Sequence, residues 1–414
     1  MDRDKPARGG IAVTGIGQIA PHGDDPGAAF EAMLRGEAAV TRWSEGDAEP
    51  TAVAAASFRA ADYFTKLQLS GMDRVSQVAV AAALRAWRDA GLDPATTRAA
   101  PGPERIGVFV GCGMGGAAAI ENAFVSFNSV ARVPPLTVPA FMPNAPAAHV
   151  AMRLQARGPV LTYSVACASS AVAIAEAARA IACGDVDVAL AGGAEAVLVP
   201  SAIRAWQALQ TLATPDPERI ETSCRPFARD RSGFVLGEGS AFLVMEPSQH
   251  AEQRNARAYG RFAGAATVCD ATHLTKPDVD GQRRALAGAL RSAGISPADV
   301  GYCNAHGTAT KLGDVVECSA LRDVWGDDIG RLKVSSTKSM HGHLLGAAGA
   351  LEALVTLQAL NRRQLPPNAN CRAPDPACDV PLVLEAEEAP ALRYAISSSF
   401  AFGGTNVVLV FARD

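Results

Sequence analysis

Residues 164–199 read SVACASSAVAIAEAARAIACGDVDVALAGGAEAVLV. The segment 171–182 is almost wholly apolar and built of small residues, which predicts a helix buried on every side. The run 186–199 is a short apolar stretch broken by a glycine pair, which predicts a buried strand. Helix followed by buried strand is the unit of a layered α/β fold. The pattern recurs outward in both directions. IAVTGIG (11–17) and RIGVFVGCG (105–113) are further strands ending in glycine. From about residue 258 a second series follows: GRFAGAATV, helical QRRALAGALRSAG, VGYCNAHGTAT, LKVSSTKSM and the terminal YAISSSFAFGGTNVVLVF. Two alternating series in similar order predict two α/β units and are compatible with an internal duplication. The expected division is 9–257 and 258–414.

A chain of 414 residues exceeds what one hydrophobic core usually supports. Apolar residues at 49% against 19% charged allow a large core and argue against disorder. A net charge of −4 gives no global reason to bind nucleic acid, so partners must be read from local sites. Nine cysteines without a C-x-x-C pair suit neither a disulfide framework nor zinc, which points to a reducing cytoplasm. The first ten residues are polar, and the greasiest stretch carries Glu176, Asp185, Asp187 and Glu195, so no membrane span is expected.

Two stretches match a dinucleotide fingerprint, Gly15 to Ala20 and Gly111 to Gly116. Pro21 and the turn-rich residues after it break the helix the first would need. The second lacks an acid at the required distance, because residues 122–150 hold no Asp or Glu. Tight packing is the better reading of these glycines, and no cofactor is expected.

Cys167 stands at the start of the buried helix, where the helix dipole and free N–H groups favour a thiolate. His306, in NAHGTAT, emerges at the C-terminal end of a strand, the edge at which open α/β sheets bind ligands. His343, in KSMHGHLLGAAGA, reaches the same edge. His341 and His343 alone are a weak chelating pair without acidic or thiolate neighbours, so no metal is expected. FAFGGTN (400–406) interrupts the terminal strand pair with a glycine turn.

In this order, ACASS, NAHGTAT, KSMHGHLLGAAGA and FAFGGTN resemble the elongating Cys-His-His β-ketoacyl-acyl-carrier-protein synthases, over nearly the whole chain. Arg225-Pro226-Phe227 with GFVLGEG (233–239) is a fifth match. The resemblance implies a thiolase-like five-layered αβαβα fold made of two similar halves. It implies decarboxylative condensation of an acyl chain on Cys167 with malonyl-acyl-carrier-protein. His306 and His343 then bind the enolate oxygen, and the backbone N–H groups of Cys167 and Phe402 form an oxyanion hole. Lys338 resembles a buried lysine paired with an acid, here Glu317, with Asp314 also in support. Met114, Phe234, Phe400, Phe402, Thr308 and Thr310 are the expected substrate contacts, Met114 and Phe402 as the chain-length wall and gate. His341 replaces a threonine of relatives and is expected behind the site.

Acyl carrier protein is the implied partner, with a homodimer or a heterodimer with a ketosynthase-like subunit. Residues 66–73 lack most of the basic residues with which relatives meet the carrier, so Arg204, Arg225, Arg229 and Arg231 become candidates. A thiolase would need a cysteine in the FAFGGTN loop, and an initiating synthase an asparagine for one histidine. A non-catalytic chain-length subunit would lack Cys167.

Overall fold

A computed structural model describes residues 10–44, 50–92 and 101–413; the polar residues 1–9 lie outside the described residues. Five strands form the amino-terminal half: β1 (Ile11–Ile19), β2 (Ile106–Gly111), β3 (Val160–Tyr163), β4 (Val188–Glu195) and β5 (Gly239–Pro247). Five more form the carboxy-terminal half: β6 (Gly260–Cys269), β7 (Val300–Asn304), β8 (Lys333–Ser335), β9 (Tyr394–Phe400) and β10 (Thr405–Ala412). The spatial order is β1-β5-β4-β2-β3 in the first half and β6-β10-β9-β7-β8 in the second. Each strand of one half corresponds to the strand five later in the other. Pairing senses also match: β1/β5, β5/β4, β6/β10 and β10/β9 are antiparallel, while β4/β2, β2/β3, β9/β7 and β7/β8 are parallel. The duplication suspected from the strand series is therefore topological. Antiparallel pairing of β1 with β6 joins the halves, Ile11 facing Phe262. Sequence patterning does not find β3, which is four residues long and half exposed, or β5, whose apolar run follows the glycines of GFVLGEG.

Seven helices matter here: α1 (Arg74–Asp89), α2 (Ala117–Val130), α3 (Ala145–Leu154), α4 (Ser169–Ala182), α5 (Val279–Ala293), α6 (Lys311–Trp325) and α7 (Ala348–Arg362). α4 packs on β4 and β2 on one side and on β6 and β10 on the other; α7 touches β9, β5 and α4. These two helices are the middle layer. α1 covers β1 and β5 from outside with α3 beside it, and α5 covers β6 and β10 with α6 alongside. The order is helix, sheet, helix, sheet, helix, as expected.

A middle layer has no wet face, which explains the compositions of α4 and α7. Every residue of α7 from Ala348 to Leu360 is buried. Each buried leucine there contributes about 1.5–3 kcal/mol relative to exposure. Small residues let the layers close up. A Cβ on Gly17 would lie 2.3 Å from Ala82 O of α1, and one on Gly111 only 2.1 Å from Ser170 N of α4. Both fingerprint-like glycine groups thus seat helices on strands, as read from the sequence.

Candidate active site

The amino-terminal ends of α4 and α7 meet at the centre of the molecule. A single 3₁₀ turn leads into each, Ala166–Ala168 and Leu345–Ala347, and the two turns touch. Ala166 (φ 48°) and Leu345 (φ 47°) both occupy the left-handed region, a matched pair of strained non-glycine residues. Such strain costs on the order of 1–3 kcal/mol per residue and gathers at functional sites. Ser169 holds the first turn: its Oγ accepts from Val165 N at 2.9 Å and donates to Ala166 O at 2.6 Å. Cys167 is thereby fixed at the head of α4.

His343 lies in the loop before α7. Its N–H donates to Val235 O (2.7 Å) and its carbonyl accepts from Gly237 N (2.9 Å), which gives the GFVLGEG stretch the work of holding this loop. His343 Nε2 is 3.0 Å from Cys167 Sγ. His306 follows β7, and its ring centre lies 5.5 Å from that of His343 with the planes at 84°. The donor atoms of Cys167, His306 and His343 all lie within 4.8 Å of one another. Residues separated by 139 and 37 positions thus meet at one point. A thiol and two imidazoles at this spacing can act as nucleophile and paired N–H donors, and the same set of atoms could also ligate a metal ion. His341 is turned away: its Nδ1 lies 2.7 Å from Gly342 O and its Nε2 3.0 Å from Thr337 Oγ1.

Burial dominates the electrostatics. It pushes the Cys167 thiol up to about 12, against the opposing pull of the Lys338 charge and the Phe402 N–H. The expected thiolate is therefore corrected to a resting thiol, because desolvation outweighs the helix terminus. Burial, then the Lys338 charge, holds both histidines well below their usual range, so both are neutral. Neither Nδ1 has a hydrogen-bond partner, which leaves Nε2 of His343 as the ring's polar contact, on the cavity side.

The expected pairing of Lys338 with Glu317 is also corrected. Glu317 directs both carboxylate oxygens to backbone, accepting from His306 N (2.8 Å) and Gly307 N (2.7 Å). Lys338 instead contacts Glu352 of α7, both side chains fully buried. Glu352 is the single charge in the AGALEALVTLQAL run, a signal the sequence did carry. Burial raises Glu317 and Glu352 each to about 7. Asp314 supports at one remove: it accepts from Phe227 N (2.8 Å) and lies 3.5 Å from Arg231.

A cavity of about 240 Å³ opens onto Cys167, His306 and His343, and Phe234, Phe400, Phe402, Thr308 and Thr310 line it. Thr310 also caps α6, accepting from Gly313 N at 3.2 Å. Trp206, not singled out from the sequence, stacks on Phe402 and meets Phe234 edge-on, and Phe234 in turn meets His343. Met114 does not line this cavity and is 48% exposed. Its turn is pinned from behind by Glu195, also missed, which accepts from Gly113 N (2.9 Å), Met114 N (3.1 Å) and Gly346 N (3.1 Å). Of the arginines proposed for docking, Arg231 is buried against Asp375 and Arg225 is held between Asp216 and Asp230. Neither is available; Arg204 and Arg229 are exposed.

Residues 9–251 match the beta-ketoacyl synthase N-terminal domain, and residues 259–372 match the C-terminal domain of the same family. The chain belongs to the beta-ketoacyl synthase family. Among its relatives, 3-oxoacyl-[acyl-carrier-protein] synthase 2 of Staphylococcus aureus (strain COL) is 38% identical over 97% of this chain and 98% of its own. Nodulation protein E of Rhizobium sp. (strain N33) is 39% identical over 97% and 98%. The solved ishigamide ketosynthase/chain length factor superposes with a TM-score of 0.91 at 30% identity, covering 99% of this chain and all of the other. The cysteine and the two histidines that meet here lie within the stretches matched by the two family domains. No helix among the described residues is long and apolar enough to cross a membrane.

Proposed function

We propose that the chain elongates carrier-bound acyl groups by decarboxylative Claisen condensation. The carrying observation is the 3.0 Å contact of His343 Nε2 with Cys167 Sγ, with His306 beside it in one cavity. In the first half-reaction the Cys167 sulfur attacks the acyl thioester carbonyl as its proton passes to His343 Nε2, which resolves the high thiol pKa without a standing thiolate. The backbone N–H groups of Phe402 and Cys167 receive the carbonyl oxygen's charge. The tetrahedral intermediate collapses to acyl-Cys167, and the carrier thiol leaves with the proton.

Malonyl-carrier then enters. Its carboxylate departs as carbon dioxide, and the electron pair left behind becomes an enolate whose oxygen accepts an N–H bond from His306 and, once the His343 ring has exchanged its Nδ1 proton for one on Nε2 through solvent, a second from His343. Neutral imidazoles suit this, because imidazolium would protonate the carbanion. The carbanion attacks the acyl-Cys167 carbonyl, and Cys167 leaves as a thiolate to give the β-ketoacyl product, then takes up one proton from solvent to restore the resting thiol. Glu317 fixes the His306 backbone, while the Lys338–Glu352 pair keeps a positive charge behind both rings. Thr308 and Thr310 offer hydroxyls to the arm that carries the substrate.

Met114 belongs to the acyl tunnel only if a second subunit closes over it. The face around α2 supports this, with Phe124, Val125, Phe127 and Val130 all more than half exposed. At the adjoining sheet edge, Val160 and Leu161 of β3 are also exposed, whereas the β8 edge is covered by residues 381–383. A second copy, or a ketosynthase-like chain-length subunit, would seat there. Nine free thiols support the reading of a reducing cytoplasm. The reaction serves fatty-acid and polyketide or polyene synthesis alike, and the division at 257/258 assigns the nucleophile to one half and both histidines to the other.

The test is carbon dioxide release from malonyl-carrier. Cys167→Gln should lose elongation but keep decarboxylation, and His306→Ala should lose both. Wild-type release from the His306 variant would overturn the assignment.

A further inference from the structure

Among the charged side chains lining the catalytic cavity, Asp270 and Glu317 are buried and Lys276 alone is exposed. No carboxylate lies within ion-pair distance of Lys276 among the described residues. Its backbone is firmly placed. His273 Nδ1 accepts from the N–H groups of Thr275 and Lys276, each at 3.1 Å. Gly403 N donates to Leu274 O (2.7 Å) and Asp270 N to Gly404 O (2.8 Å), so the loop is tied to the turn that presents Phe402 to the nucleophile. The nearest acids in sequence are engaged: Asp278 caps α5 and Asp280 pairs with Arg283 and Arg284.

From this we infer that Lys276 is a specificity residue that binds the phosphate of the substrate's pantetheine arm. The inference rests on the proposed thioester substrate. Along that arm the amides and acyl group are neutral, in keeping with a cavity of aromatic rings and threonine hydroxyls; the phosphate at its outer end is the single ionic group. An unpaired ammonium at the cavity mouth, on a pinned backbone, complements it. Such a contact also offsets the poverty of basic residues at 66–73 and the engagement of Arg225 and Arg231. A carrier phosphodiester and that of coenzyme A share this chemistry.

Binding separates the inference from catalysis. Calorimetric titration of the full chain should show phosphopantetheine binding about tenfold tighter than pantetheine. Lys276→Ala should bind the two alike, and Lys276→Arg should keep the preference. Equal binding by wild type, or a preference that survives Lys276→Ala, overturns the assignment. In turnover, Lys276→Ala should raise KM about tenfold for both acyl-carrier and acyl-coenzyme A at unchanged kcat, and leave acyl-pantetheine unaffected. A rise confined to the carrier places Lys276 in protein docking and also overturns it. A wild type that condenses none of these substrates refutes the synthase reading instead, and the titration still decides Lys276.

Discussion

Replacing Lys338 by methionine separates two roles that one buried charge plays. Lys338 and Glu352 are both fully buried, and breaking such a pair from one side costs about 3–5 kcal/mol. Glu352 already sits at about 7 with the cation beside it. Without the cation it is neutral at pH 7, which holds the loss near the lower figure, about 3 kcal/mol. The double variant Lys338→Met/Glu352→Leu removes both charges at similar volume and should return to within about 1 kcal/mol of wild type in urea unfolding. The histidines respond differently. Burial and then the Lys338 charge hold His306 and His343 down, so losing the charge moves both pKa values up towards 6.5. Both variants should therefore lose malonyl decarboxylation at a higher pH than wild type on the acid side, because the rings protonate sooner. Rates of carbon dioxide release between about pH 5 and 8 measure this. A double variant that regains stability and also the wild-type acid limb would refute the electrostatic role and leave Lys338 purely structural.

Gly111→Ala should fail to fold or lose at least about 3 kcal/mol, since its Cβ would lie 2.1 Å from the Ser170 backbone; Gly184→Ala, with open space at φ 75°, should lose about 1 kcal/mol by thermal melting. Met114→Phe should shorten the carrier-bound products seen by mass spectrometry without lowering the melting temperature, whereas unchanged product lengths would remove Met114 from the tunnel. His341→Thr should leave decarboxylation and the acyl adduct within about twofold of wild type, because among the described residues the His341 ring bonds Thr337 and the Gly342 carbonyl; a larger loss would bring it into the catalytic centre.

Local sequence carried most of the fold and the three side chains that meet in the cavity. Cys167, His306 and His343 each stand at a strand or helix end marked by glycine or a small-residue run, so their placement needs only nearby residues. What escaped reading depends on contacts between layers. Glu352 finds Lys338 across the middle layer, and Glu317 turns to backbone instead. Glu195 joins the Met114 turn to the loop before α7 through three N–H groups that no spacing rule foretells. The thiolate expected at the head of α4 gave way to burial, which only the assembled layers reveal. Strand β3 is too short and too exposed to carry an alternating pattern.

Intact-mass analysis after incubation with acyl-carrier protein, followed by addition of malonyl-carrier, tests the central claim most directly. A single acyl adduct mapped to Cys167 should form, then discharge as a carrier-bound β-ketoacyl product two carbons longer. An adduct that persists in Cys167→Ala, or a product that forms without one, would contradict it.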